Sequence, residues 1–209
     1  MTKMWGRNTS SNVQKAMWAV GELGLKVERI DVGGAFGKNK EPAYLAMNPN
    51  GLVPVLEEDD GFTMWESNSI VRYLARKHDT EGKLEPKDAH ERGRASQWMD
   101  WQLSVVGPAI FHAFWGLIRT PEDKRDHAAI KTSQEKTTDA MKILDAQLGK
   151  TEYVAGKSFS YGDIPLGVMC YRYRQLVPGR PSTPNLDRWY DAIAKRKAFH
   201  DHVGSIPLS

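Results

Sequence analysis

Pro54, set just inside a short apolar run, constrains this chain more than any other residue. In Asn48-Pro49-Asn50-Gly51-Leu52-Val53-Pro54-Val55-Leu56 the run reads as a strand. Proline cannot donate to a ladder, so this strand must lie at an edge or begin at the proline. Twelve residues on, the acidic-hydroxyl pair Glu66-Ser67 opens an amphipathic helix through Ile70, Val71, Tyr73 and Leu74. The helix closes on Arg76-Lys77-His78, cations placed where its dipole favours them.

The flanking pattern gives this pair a context. Lys3–Arg7 reads as a first strand, and Val13, Ala16, Met17, Val20 and Leu23 have helical spacing that Gly24 stops. Val27–Val32 reads as a second strand, which completes a β-α-β unit and calls for a parallel pair. A glycine-rich loop, Gly33–Lys38, leads to a helical turn near Pro42–Met47. Val53–Glu57 and Phe62–Trp65 then form a hairpin through Glu58-Asp59-Asp60-Gly61. β-α-β followed by β-β-α is the order of a thioredoxin-like domain, expected over residues 1–80. Thr80–Lys87, with Gly82 and Pro86, reads as the linker.

Beyond it the pattern is helical: roughly Ala89–Leu117, Pro121–Leu148, Ser160–Leu176 and Asn185–Arg196, with Pro108 expected to bend or split the first. An all-helical second domain over 88–209 follows. Ser160-Tyr161-Gly162-Asp163 before an apolar run is a capping box with Asp in place of Glu or Gln. The single cysteine, Cys170, lies on this apolar helix and reads as buried and inert.

The proline strand and the Glu-Ser helix, at this spacing, closely resemble the glutathione-binding half of the cytosolic glutathione transferases, and Ser160–Asp163 extends the resemblance into the second domain. The resemblance is to serine-type, bacterial theta-like or nu-like members. It implies an α/β thioredoxin-like domain plus an all-α domain, and an enzyme that activates the glutathione thiol for attack on an electrophilic small molecule in detoxification. It implies further that the Val53–Pro54 bond is cis and that Val53 and Pro54 offer backbone to the cysteinyl part of glutathione. Ser67 and the helix start would hold the γ-glutamyl carboxylate, with Glu66 facing the ammonium. Asn39 or Lys40 would reach the glycyl carboxylate. Phe111 or Trp115 would line the hydrophobic co-substrate site, Asp100 would reach across a dimer, and a homodimer is expected.

Thr9-Ser10-Ser11-Asn12 sits between the first strand and first helix, where such side chains cap orphan amides. The same helix start stabilises a thiolate. By the resemblance, Ser11 aligns with the activating hydroxyl of serine-type enzymes, whereas Ser10 and Asn12 align with the Thr and Asn of a bacterial thiol-disulfide-active group. All three stay open as the thiol activator. No tyrosine and no cysteine lies in this loop, which departs from the tyrosine-type and glutaredoxin-like patterns.

Composition narrows the alternatives. A net charge of +3 without a dense basic tract gives no support for nucleic acid. No apolar run reaches bilayer length, and the amino terminus lacks a signal-peptide core. One cysteine excludes an internal disulfide, and the cytoplasm is the expected location. Gly33–Lys38 fails as a phosphate loop, since Val32 stands where Gly is needed and Asn39 follows the lysine. His200 and His202 have no thiol or carboxylate cluster beside them, so no metal is expected. Two rivals remain: glutathione-dependent reduction of disulfides or peroxides, and a non-catalytic binding module of the same fold.

Overall fold

Side-chain alternation along four short strands divides the amino-terminal core into two layers. β1 (Lys3–Trp5), β2 (Glu28–Ile30), β3 (Val55–Glu57) and β4 (Thr63–Trp65) form one sheet in the order β2-β1-β3-β4. β1 runs parallel to β2 and antiparallel to β3, which pairs antiparallel with β4. Register puts Met4, Leu56 and Met64 in one row and Trp5, Val55 and Trp65 in the next. The first row packs on Val13, Ala16, Met17 and Val20 of α1 (Ser11–Glu22) and on Ile70 and Leu74 of α3 (Ser67–His78). On the opposite face, Val55 packs with Val32 and with Tyr44 of α2 (Pro42–Met47). A one-residue slip in β3 would exchange the two faces, so the register is strongly specified.

The strands are shorter than the sequence suggests. β3 begins at Val55 and not Val53, because Pro54 has no donor for the ladder. Past β1, Gly6 and Arg7 still donate to Ile30 and Val32 (2.8 and 3.0 Å), although strand geometry has ended. Gly24, at φ 65°, ends α1: its amide bonds Gly21, and that of Leu25 bonds Val20. That pair of bonds is a Schellman closure, the stop expected of this glycine.

The computed structural model describes every residue, Met1–Ser209. It divides into Met1–Glu85 with Lys197–Ile206, and Pro86–Arg196 with Pro207–Ser209. Residues 88–209 therefore do not all belong to the second unit. Lys197–Ile206 packs on α1: the Trp18 and Phe199 rings meet edge to face at 4.9 Å. A Cβ on Gly21 would stand 2.8 Å from the Ala198 side chain. Glycine at position 21 is what lets this segment approach.

The second unit is helical: α4 (Ala89–Trp101), α5 (Gly107–Phe114), α6 (His127–Leu148), α7 (Asp163–Leu176) and α8 (Pro184–Ala194), while α9 (Lys197–Phe199) lies in the first. α6 starts later than expected; Asp126 caps it by accepting from Ala129 (2.9 Å). α4 and α5 are joined by a wide π-turn at Gln102–Val106, where the Gly107 amide bonds Gln102. Pro108 follows directly, so the widened turn makes room for a ring that a regular helix would exclude. Ser133 of α6 also enters the α5 ladder: its hydroxyl accepts from the Ala113 amide (2.9 Å) and donates to the Ala109 carbonyl. Ala89–Arg119, taken through its π-turns, is one helical run of 31 residues, long and apolar enough by length and composition to cross a bilayer. Its apolar residues are interspersed and not contiguous, so no single apolar run reaches that length. In the second unit the run packs on α6 and α7.

Asp163 organises the carboxyl-terminal half of this unit. Fully buried, it accepts from the amides of Val154 (3.1 Å) and Ser160 (2.9 Å), the Ser160 hydroxyl (3.2 Å) and Trp189 Nε1 of α8 (2.8 Å). The acid half of the expected capping box is present, while Ser160 Oγ accepts from Gly162 (3.3 Å). Burial raises the carboxyl to about 6 against the pull of these donors. Cys170 is buried on α7, and desolvation pushes its thiol up to about 12. Replacing Asp163 by Asn removes the charge and turns an amide donor toward other donors. We expect a loss of about 3 kcal/mol in urea unfolding; an unchanged midpoint would contradict this role.

Candidate active site

Two helix starts meet beside the proline loop of the first unit. Ser10 is the N-cap of α1, with extended backbone (φ −75°, ψ 123°), and its carbonyl accepts from Gln14 (2.9 Å). Its hydroxyl caps no amide of the first turn, contrary to the capping role its position suggests. Ser11 and Asn12 are the first two helical residues, Ser11 half-buried and Asn12 exposed.

Glu66 is the N-cap of α3 and stands at φ 72°, ψ 106°. Only one other non-glycine residue, Lys38, has a positive φ. Such a conformation costs an L-residue roughly 1–3 kcal/mol, and strain of this kind concentrates at functional sites. Its effect is to turn an exposed carboxylate out at the start of a helix. The Glu66 side chain makes no cap bond, and Ser67, buried, follows as the first residue of α3. The Ser67 hydroxyl donates to Asn12 Oδ1 at 3.3 Å. The positive ends of two helix dipoles thus converge, an arrangement suited to an anion.

The proline loop is held between them by small residues and backbone bonds. The Val53–Pro54 peptide is cis, as the resemblance implies. A Cβ on Gly6 would stand 2.4 Å from the Val13 side chain and 3.2 Å from Val53 Cβ, so only glycine lets the loop lie here. The carbonyl of Leu52 accepts from Tyr44 Oη and Asn48 Nδ2, both at 2.8 Å. Burial pushes the Tyr44 phenol up to about 12, so it stays a donor. With β3 starting at Val55, the Val53 backbone stands outside the ladder.

Asn39 and Lys40 reach the same loop from the other side. Asn39 Nδ2 donates to the Gly51 carbonyl (2.8 Å) and Lys40 Nζ to that of Asn50 (3.3 Å). Both therefore clasp Asn50–Gly51. Phe111 and Trp115 belong to the second unit, where their rings stack at 5.8 Å and stand 51% and 54% exposed. Asp100 is exposed on α4.

One residue of this site escapes the sequence reading. Lys15 is 1% exposed, and its ammonium donates to the same Asn12 Oδ1 at 3.1 Å. The available signal was a lone cation within Val13-Gln14-Lys15-Ala16-Met17-Trp18, a stretch in which every residue is buried.

Family models match both units: the amino-terminal domain of glutathione S-transferase over residues 9–77 and its carboxy-terminal domain over 106–197. The chain is 39% identical to glutathione S-transferase GstB of Escherichia coli, with all of both chains covered. It is 29% identical to glutathione S-transferase F10 of Arabidopsis thaliana over 90% of each chain. Among solved structures it resembles the theta-class glutathione S-transferase of Xanthomonas axonopodis pv. citri with glutathione bound, at TM-score 0.94 and 41% identity, covering 100% of this chain and 99% of that one. The fold defines a protein of the thioredoxin-plus-helical class. This chain belongs to the glutathione S-transferase family.

The strain at Glu66 is measurable. Glu66→Gly should raise unfolding stability by about 1 kcal/mol, since glycine adopts positive φ freely. Glu66→Gln should leave stability within about 0.5 kcal/mol. Loss of stability in Glu66→Gly, read from urea midpoints, would show that Glu66 is not strained.

Proposed function

We propose that this chain is a glutathione transferase whose first unit binds glutathione across the two helix starts and delivers its thiolate to an electrophilic small molecule. The observation that carries this reading is the Ser67–Asn12 hydrogen bond, which brings a carboxylate-binding helix start within one side chain of the thiol-activating segment. On binding, the Ser67 hydroxyl turns from Asn12 Oδ1 to the γ-glutamyl carboxylate, which the first amides of α3 also receive. Glu66, turned outward, pairs with the ammonium of the same group. The Val53 backbone, free of the ladder, brackets the cysteinyl amide. Lys40, exposed beside Gly51, meets the glycyl carboxylate, with Asn39 shaping the loop beneath it.

The thiol then lies over the start of α1. Of Ser10, Ser11 and Asn12, we assign activation to Asn12, with the Ser10 hydroxyl as a second donor. The thiol proton leaves to water, and the Asn12 Nδ2 amide hydrogen and the helix dipole stabilise the thiolate. The sulfur attacks an electrophilic carbon, forming the C–S bond as the leaving group departs with its electron pair. Catalysis comes from a preorganised donor and from proximity. The stacked, exposed Phe111 and Trp115 rings suit an apolar co-substrate. We further propose a cytoplasmic homodimer, as the family resemblance implies; the single, unpaired thiol fits a reducing compartment.

Calorimetry with glutathione, followed by conjugation of a chlorinated nitrobenzene, tests the reading. Ser67→Ala should weaken glutathione binding at least about tenfold, the loss of one charge-assisted hydrogen bond. Asn12→Ala should lower kcat/KM about 100-fold near neutral pH, with Ser11→Ala near wild type. Absence of glutathione binding by the wild-type protein would overturn the proposal. Reduction of hydroxyethyl disulfide without conjugation would replace it by thiol-disulfide chemistry.

A further inference from the structure

We infer that Lys15 is a positioning residue for thiol activation: it fixes which way the Asn12 amide faces and polarises it. The inference rests on the glutathione-activating role of Asn12 proposed above. Lys15 lies three residues beyond Asn12 on α1, the spacing that stacks side chains on one helix face. Its ammonium, buried from solvent, is 3.1 Å from the side-chain oxygen of Asn12. An ammonium has hydrogens to give and no lone pair to accept with, so the atom it meets must be the carbonyl oxygen. The Ser67 hydroxyl donates to that same oxygen at 3.3 Å.

In the free protein both donors meet Oδ1; a bound carboxylate takes the single Ser67 proton, and Lys15 alone then holds Oδ1 and the orientation of the amide. Its NH2 group lies on the side away from Lys15 and Ser67, on a residue that is itself exposed. Rotated by half a turn, Asn12 would set an amide nitrogen against an ammonium and offer its oxygen to the thiolate. That would repel the anion which the site must stabilise. The cation also draws electron density through the amide, which makes the outward N–H a stronger donor.

Lys15→Met, Lys15→Gln and Lys15→Arg, each checked for folding by thermal melting, test this. The readouts are the ultraviolet thiolate absorbance of bound glutathione and the pH profile of kcat/KM. In Lys15→Met the bound thiol should become about tenfold less acidic, so kcat/KM falls about tenfold at low pH and returns to the wild-type plateau at high pH. Lys15→Arg should restore most of the acidity, and Lys15→Gln, able to donate but uncharged, should fall between. Should Lys15→Met fail to fold, Lys15→Gln decides alone by the same shift. An unmoved pH profile, or a loss equal at every pH, would overturn the inference. Asn12→Ala separates the two levels. If it moves the thiol and Lys15→Met does not, only the role of Lys15 falls; if neither moves it, the assignment of Asn12 falls as well.

Discussion

The hydrogen bond between Ser67 and Asn12 joins residues 55 positions apart, and the rest of the site is arranged around it. It forms because α1 and α3 pack side by side on one face of the sheet, through Val13, Ala16, Met17 and Val20 on one helix and Ile70 and Leu74 on the other. Apolar burial thus sets the distance between two polar helix starts. Each start brings orphan amides and a positive dipole end. Together they form a surface that favours anions. The proline loop between them is fixed by Gly6 from below and by Tyr44 and Asn48 through the Leu52 carbonyl.

Backbone strain and a buried cation both occur here. Glu66 holds a positive φ that a side chain resists, and Lys15 holds a cation out of water. Neither is what packing alone would select. The helical unit shows a different economy: its buried carboxylate, Asp163, is surrounded by four donors that tie a loop, α7 and α8 together. That network serves stability. Cys170, deep in the same helix, is kept far from reactivity by desolvation.

Much of the fold is legible in the sequence because its signals are local. Gly24 ends α1, Pro42 opens α2, and Glu66-Ser67 starts α3 where the periodicity says it should. The paired motifs around Pro54 and Ser67 likewise carry the family. What the sequence does not disclose depends on contacts between distant segments. That Lys197–Ile206 leaves the helical unit to cover α1 follows from Gly21 and Trp18 meeting Ala198 and Phe199, which no periodicity shows. Ser133 entering the α5 ladder is equally invisible. At the site, helical spacing places Lys15 near Asn12, but only burial and the Ser67 contact reveal that its charge is engaged. Capping propensity misleads at Ser10, whose hydroxyl is left uncommitted to the helix.

The most direct measurement is an experimental structure of the complex with glutathione. The account places the γ-glutamyl carboxylate about 3 Å from Ser67 Oγ and the α3 amides, with the sulfur at about 3.5 Å from Asn12 Nδ2. Glutathione bound elsewhere, or a sulfur facing the Asn12 carbonyl oxygen, would contradict it.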